Sequence, residues 1–351
     1  MSLEQEIEQF LKNKGTLKVG FANKESLAGP PNADITYIIP EAQSAISYAL
    51  LFDKEIIRDY LSKKNFDNHE KNRFDLNYNS VKISRELAEL LKEKGYISRA
   101  IISNNNYKKE IKGWRATMPP RLSHRYVAVV SGVGSFGWSG NVGMKGIGTT
   151  ILLGTVVTTA ELEPTKPIPV EESFCTKCKL CTQVCTASMF SKDKDVKFTL
   201  GGNEYAHSAR NGYVRCHYVC GGFTGLHPNG KFSTWSPGRF PIPETNSEIY
   251  LMLGRAIKRY PTWPERGGEE GYVNEAAPDL KIRLTCGMCQ NICWGNSKDT
   301  AENYRLLIDS GCIIQNPDGS IVTLPSEEAE QYFQSLPKVH RKKYYIEKSS
   351  S

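Results

Sequence analysis

The chain has 351 residues, 39% hydrophobic and 24% charged, so a packed globular core of one large or two ordinary domains is expected. No run of 18 or more apolar residues occurs, so no transmembrane helix is predicted and no membrane partner is expected. The net charge of +7, from 45 Lys and Arg against 38 Asp and Glu, suits an anionic partner: RNA, a nucleotide-like cofactor or an acidic electron donor.

The N-terminus is charged and amphipathic. It has no apolar signal region and no twin-arginine pair, so a cytoplasmic location is expected. Ile7, Phe10 and Leu11 share one face of a helix predicted over 3–14. Residues 34–50 hold a short β-like run, Pro40, and a mixed apolar stretch. DNHEKN at 67–72 is polar and charged throughout, so His69 is read as part of a solvated, charged helix. Ile83, Leu87, Leu90 and Leu91 follow helical spacing over 80–95, with Gly95 as a stop signal. Tyr96 to Ser103, Tyr126 to Val130, and 147–159 read as strands. Strands alternating with helices suggest an α/β-like layer for residues 1–165. The Pro-rich stretch 163–172 ends that layer. Residues 221–280 are read as long ordered loops, because Trp235, Phe240, Tyr250, Tyr260 and Trp263 need somewhere to pack. Helix is predicted over 299–309 and a turn at PDGS, 317–320. The basic tail from Lys338 reads as loose. The expected division is therefore 1–165, 166–312 and a C-terminal extension, 313–351.

Ten cysteines in a cytoplasmic chain require an explanation, since disulfides are disfavoured there. Seven lie in two tight groups. Cys175, Cys178, Cys181 and Cys185 have C-x2-C-x2-C-x3-C spacing, the run of bacterial two-cluster ferredoxins. Three thiolates two residues apart wrap one iron–sulfur cube, and the fourth serves the neighbouring cube. Cys286, Cys289 and Cys293 have C-x2-C-x3-C spacing and lack one ligand, for which Cys216 and Cys220 are the nearby candidates. Zinc would leave the triple spacing of the first run without a reason. Thr186 and Trp294 stand where such runs usually carry Pro. Seven glycines in 131–148 let backbone approach a large planar or phosphate-bearing ligand, with Phe136 and Trp138 available to cover an apolar face.

These motifs resemble the epoxyqueuosine reductase and reductive dehalogenase superfamily of corrinoid-dependent iron–sulfur reductases. The resemblance rests on the first cysteine run, on RCHYV at 215–219 followed by TCGMCQNICWGN at 285–296, and on 123–158. It covers roughly residues 115–310. It implies an α+β fold, an α/β-like corrinoid-binding domain followed by a ferredoxin-like domain with two 4Fe–4S clusters. Cys175, Cys178, Cys181 and Cys293 would hold one cluster; Cys185, Cys216, Cys286 and Cys289 would hold the other. Cys220 and Cys312 are left as buried thiols. In the family the middle segment builds much of the cobalamin pocket, so Arg125, Gly132, Gly134, Gly137, Trp138, Gly140, Asn141 and Gly148 are the corrinoid candidates. The family's acidic proton donor aligns with Met118, which cannot donate. His124, Tyr126 and Arg121 are the neighbouring candidates for that catalytic role. The implied function is an oxidoreductase that takes electrons from a ferredoxin or flavodoxin and passes them through two clusters to a corrinoid and a small-molecule substrate. Epoxyqueuosine reduction on tRNA and non-catalytic electron transfer are the alternatives.

Overall fold

The computed structural model describes residues 1–103, 107–264, 272–274 and 277–346. Helix α1 (Leu3–Asn13) starts at a capping box between Ser2 and Gln5. There follow β1 (Lys18–Asn23), β2 (Ser44–Leu51), α2 (Lys54–Leu61), α3 (Asp67–Glu93), β3 (Ser98–Ile101), α4 (Trp114–Thr117) and α5 (His124–Val130). Two short strands, β4 (Ser135–Phe136) and β5 (Val142–Gly143), precede β6 (Ile151–Thr158).

Strands β1, β2, β6 and β3 form one sheet in that order, and every pairing is antiparallel. The class is therefore α+β, and the expected α/β-like layer is an antiparallel sheet between helices. Ile46, Tyr48 and Val156 point to one face, where α1 and α3 supply Ile7, Leu11, Ile83, Leu87 and Leu91. Ala45 and Val157 point to the other, where α5 supplies Val127 and Val130. Tyr48 reaches across Gly154, its paired residue on β6, and its hydroxyl donates to Ser80 O at 2.7 Å. A Cβ at Gly154 would lie 2.0 Å from the Tyr48 ring.

The second half carries α6 (Leu180–Gln183), the hairpin β7 (Phe190–Leu200) and β8 (Asn203–Arg210), α7 (Tyr213–Cys220) and α8 (Asn246–Arg259). Then come β9 (Tyr272–Asn274), β10 (Ala277–Ile282), α9 (Met288–Asn291), α10 (Ser297–Ile308), the hairpin β11 (Cys312–Gln315) and β12 (Ile321–Leu324), α11 (Ser326–Ser335) and α12 (Lys338–Arg341). PDGS lies in the β11–β12 turn, as expected. Among the described residues no helix is long and apolar enough to cross a membrane.

Four local expectations are corrected. Tyr126 to Val130 is helix, because α5 is buried on both flanks: Val127 and Val130 face one cluster of the core, Ala128 and Val129 another. A short apolar run buried all round has no periodicity that separates strand from helix. Residues 246–259, read as loop, form α8, opened by a Thr245–Glu248 capping box. Trp235, Phe240, Tyr260 and Trp263 are buried there as expected, while Tyr250 is exposed. The segments 265–271 and 275–276 of that stretch lie outside the described residues. The tail is docked: His340 bonds Gln315 O at 2.7 Å and Tyr344 is buried, with 347–351 outside the described residues. His69 lies in α3, yet it is only 1% exposed.

Candidate metal centre

Two groups of thiols form at the junction of the two halves. Cys175, Cys178, Cys181 and Cys293 line one cavity, together with Gly137, Trp138 and Phe174. The loop that carries the first three is turned by left-handed backbone at Lys177 (φ 56°) and Lys179 (φ 60°). Burial pushes the Cys181 thiol up to about 12, and negative charge on Cys293, Cys175 and Cys178 adds to the shift. The fourth thiol thus comes from the far end of the sequence.

The second group forms around Cys286 and Cys289, with Cys185, Cys216 and Cys220 near them. Burial raises the Cys289 thiol, followed by the effects of Cys185 and Cys286. Burial also pushes Cys286 up to about 12, with Cys220 the largest charged contributor and Cys185 behind it. Cys216 and Cys220 are four apart on α7 and therefore share a face. The adjacent Cys216 thiol draws the Cys220 thiol below its ordinary value, while its own is raised. Cys220 is thus beside the second group rather than remote from it. Cys312 is buried apart, as the first residue of β11.

Backbone and amide donors aim at these sulfurs. Trp138 N–H donates to Cys175 Sγ at 3.3 Å, Met189 N–H to Cys185 Sγ at 3.3 Å, and the Asn141 amide to Cys289 Sγ at 3.8 Å. Of the corrinoid candidates, Asn141 turns its side chain to a thiol, whereas Trp138 gives Cys175 only its backbone N–H and its indole donates to Ser191 O at 3.3 Å. Behind the second group, His69 stacks on Tyr60 at 3.8 Å between ring centroids and pairs with Asn291 at 3.1 Å. The Tyr60 hydroxyl donates to Cys286 O at 3.0 Å. Arg283 binds Glu70 and Asp67 of α3 at 2.8 and 2.7 Å. Nothing in the residue pattern announced these donors and props. They depend on backbone direction and on contacts between segments some 200 residues apart.

The glycine-rich segment meets protein on nearly every side. A Cβ at Gly148 would lie 2.0 Å from Cys293 O, at Gly132 2.3 Å from Lys166 O, at Gly134 2.6 Å from Val142, and at Gly137 2.8 Å from Phe174. At Gly140 it would meet Arg210 and His207 of β8. Arg125 donates to Gly140 O at 2.7 Å. The close approach that glycine permits here serves the cysteine loops and the β7–β8 hairpin.

The three proton-donor candidates are not brought together. The His124 ring is held between Thr155 Oγ1 at 2.8 Å and Ser103 Oγ at 3.3 Å, and burial lowers its pKa to about 4. Tyr126 packs on Phe198 and Phe136. Arg121 lies over the Tyr37 ring. Met118 is a left-handed cap at the end of α4. Among the described residues no three His, Cys, Asp or Glu side chains converge on a single-ion position. A cube spreads its ligands over four irons and does not require such a focus.

No protein-family model and no curated protein matches the chain. Solved structures do. A catabolic reductive dehalogenase, NpRdhA, is similar with a TM-score of 0.50 and 14% identity over 87% of this chain and 33% of that one. Epoxyqueuosine reductase from Bacillus subtilis gives 0.36 and 18% over 53% and 52%. An epoxyqueuosine reductase with an epoxyqueuosine-modified tRNA-Tyr stem loop gives 0.41 and 15% over 87% and 80%. The chain spans a third of the dehalogenase's length and about half that of the Bacillus subtilis reductase. At such identities the likeness is one of fold: the chain has the mixed helix-and-strand fold of the dehalogenase over most of its length.

Proposed function

We propose that this chain is an iron–sulfur oxidoreductase whose two cysteine groups each hold a 4Fe–4S cluster. One observation carries the proposal: Cys293 shares a cavity with Cys175, Cys178 and Cys181, from which more than 100 residues separate it. Reciprocal exchange of the last thiolate is what the two-cluster ferredoxin spacing demands. The ligands of the second cluster are Cys185, Cys216, Cys286 and Cys289, with Cys220 as a neighbouring thiol.

Bound there, the clusters supply one-electron storage at two adjacent points. The chain's own residues set the poise. N–H donors on Trp138, Met189 and Asn141 stabilise the more negative, reduced state and raise the potentials. Burial opposes that added charge, so the balance is local to each sulfur. The net charge of +7 supports an acidic ferredoxin or flavodoxin as electron donor. A cytoplasmic setting agrees with ten unpaired cysteines. The cluster region, 166–312, rests on the sheet domain, 1–165, and the C-terminal residues share the core around α7 and α8.

The corrinoid that the resemblance implies does not fit the residues nominated for it, because the protein itself fills the space beside Gly132, Gly134, Gly137, Gly140 and Gly148. No step is assigned to a corrinoid, and the small-molecule substrate is undefined beyond being reducible.

The test is iron and sulfide analysis of anaerobically prepared protein with EPR of the reduced state. About eight irons and eight sulfides per chain are expected. About four irons, or zinc in their place, would overturn the proposal.

A further inference from the structure

The β7–β8 hairpin lies across the segment from which a corrinoid pocket would be built. Its strand β8 is tied to that segment: Ser208 N–H donates to Trp138 O at 2.8 Å, and Arg210 Nη2 to Ser139 O at 2.7 Å. Its aromatics meet the side chains that would have faced a ring. Phe136 has Phe198, Tyr205 and His207 around it at 5.7 to 6.0 Å between centroids. Tyr126 packs on Phe198 at 5.5 Å. The hairpin tip is anchored on the N-terminal domain, where Gly201 N–H donates to Ala28 O at 2.8 Å. Leu200 is fully buried against Leu27, Ile35 and Ile38. This face is packed core, and a large planar cofactor has no room on it without unseating the hairpin.

With that route closed, the first thiol group still reaches the surface. Cys178 is exposed, and in the second group so is Cys216; the other eight cysteines are partly or fully buried. Cys178 is thus the most exposed member of the first group. The rim around Cys178 is basic: Lys177 and Lys298 are exposed, and Ser297 bonds Thr176 at 3.3 Å, which brings Lys298 beside the cysteine loop.

Resting on the two-cluster reading, we infer that the chain holds no corrinoid and that the first cluster delivers electrons outward, across the basic rim at Cys178, to an anionic acceptor. Each transfer oxidises the reduced cluster by one electron and reduces the acceptor by one, with no bond made or broken in the protein.

Two measurements on cluster-replete protein test this. The first is cobalt content after incubation with cobalamin under dithionite and desalting. Traces are expected, and stoichiometric cobalt would overturn the inference while leaving the cluster reading intact if iron stays near eight per chain. The second is stopped-flow oxidation of the dithionite-reduced protein at low salt by ferricyanide, an anion, and by hexaamminecobalt(III), a cation. The double variant Lys177→Glu, Lys298→Glu should keep its iron, react with ferricyanide about three- to tenfold more slowly, and react faster with the cation. Unchanged rates with both oxidants would overturn the outward route. Iron well short of eight in the unaltered chain would instead count against the two clusters themselves.

Discussion

The two thiol groups are built by different means. Three thiols of the first come from one seven-residue loop, shaped by left-handed turns at Lys177 and Lys179 and lying at the surface. The second draws Cys185, the helix α7 and the loop before α9 together over a buried support of Tyr60, His69, Asn291, Glu70 and Arg283. A locally encoded loop keeps its shape when distant contacts change, whereas a site assembled from three segments inherits the stability of everything beneath it. The largest effect expected is at the residue that joins the two. Cys293→Ala should cost the first cluster, about four irons, although Cys293 lies in the second run. Cys216→Ala should cost the other, and Cys220→Ala should leave iron unchanged, all read by iron content and EPR. Loss of iron from Cys220→Ala but not Cys216→Ala would reverse the ligand assignment on α7.

Next in size is the support of the second group. Arg283→Met leaves Glu70, whose side chain is 9% exposed, without its cation. About 2–3 kcal/mol of destabilisation is expected, measured by urea unfolding, with the second cluster bleaching before the first. Simultaneous bleaching would show that the support is shared.

A smaller, pH-dependent effect falls on His69. Burial, and then the charge of Arg73, lowers its pKa from 6.5 to about 3. Between those values the unfolded chain binds the extra proton, so stability falls as pH drops from 6.5 towards 3. The slope due to this residue is at most about 1.4 kcal/mol per pH unit. His69→Gln should flatten the urea-midpoint profile between pH 5 and 6.5, a window set by the ordinary and lowered values. An unchanged profile would remove His69 as its source.

The smallest effect tests the first loop. Lys177→Gly should stabilise by about 0.5–1 kcal/mol, because Gly adopts the left-handed turn without the Cβ penalty. A loss of stability would mean that the lysine side chain, not the turn, holds the loop.

Legibility in the sequence follows the same contrast. Cysteine spacing is a one-dimensional property, and the two thiol groups were legible in it; the choice of Cys216 over Cys220 came from the family resemblance alone. The role of the glycine run was not, because glycine reports only that something comes close. A ligand and a cysteine loop leave the same mark at Gly148. His69 shows a second kind of failure. Its neighbours Asn68, Glu70 and Lys71 are polar, and the burial comes from Tyr60 and Asn291, distant in sequence. For α8 the signal was present in Thr245 and Glu248 but was hidden by the surrounding Gly and Pro.

The separation between Cys293 and the loop at 175–181 has a mechanical side as well. A cube bound across it acts as a staple that closes a circle containing the β7–β8 hairpin, α7 and α8. By the chain-entropy argument used for disulfides, closing a loop of roughly 100 residues contributes about 4–5 kcal/mol, comparable with the whole stability of many domains. Oxygen that dismantles the cube would therefore cut the staple too. Oxidative damage in this chain would appear first as a loosened fold open to proteolysis, and spent molecules would mark themselves for removal.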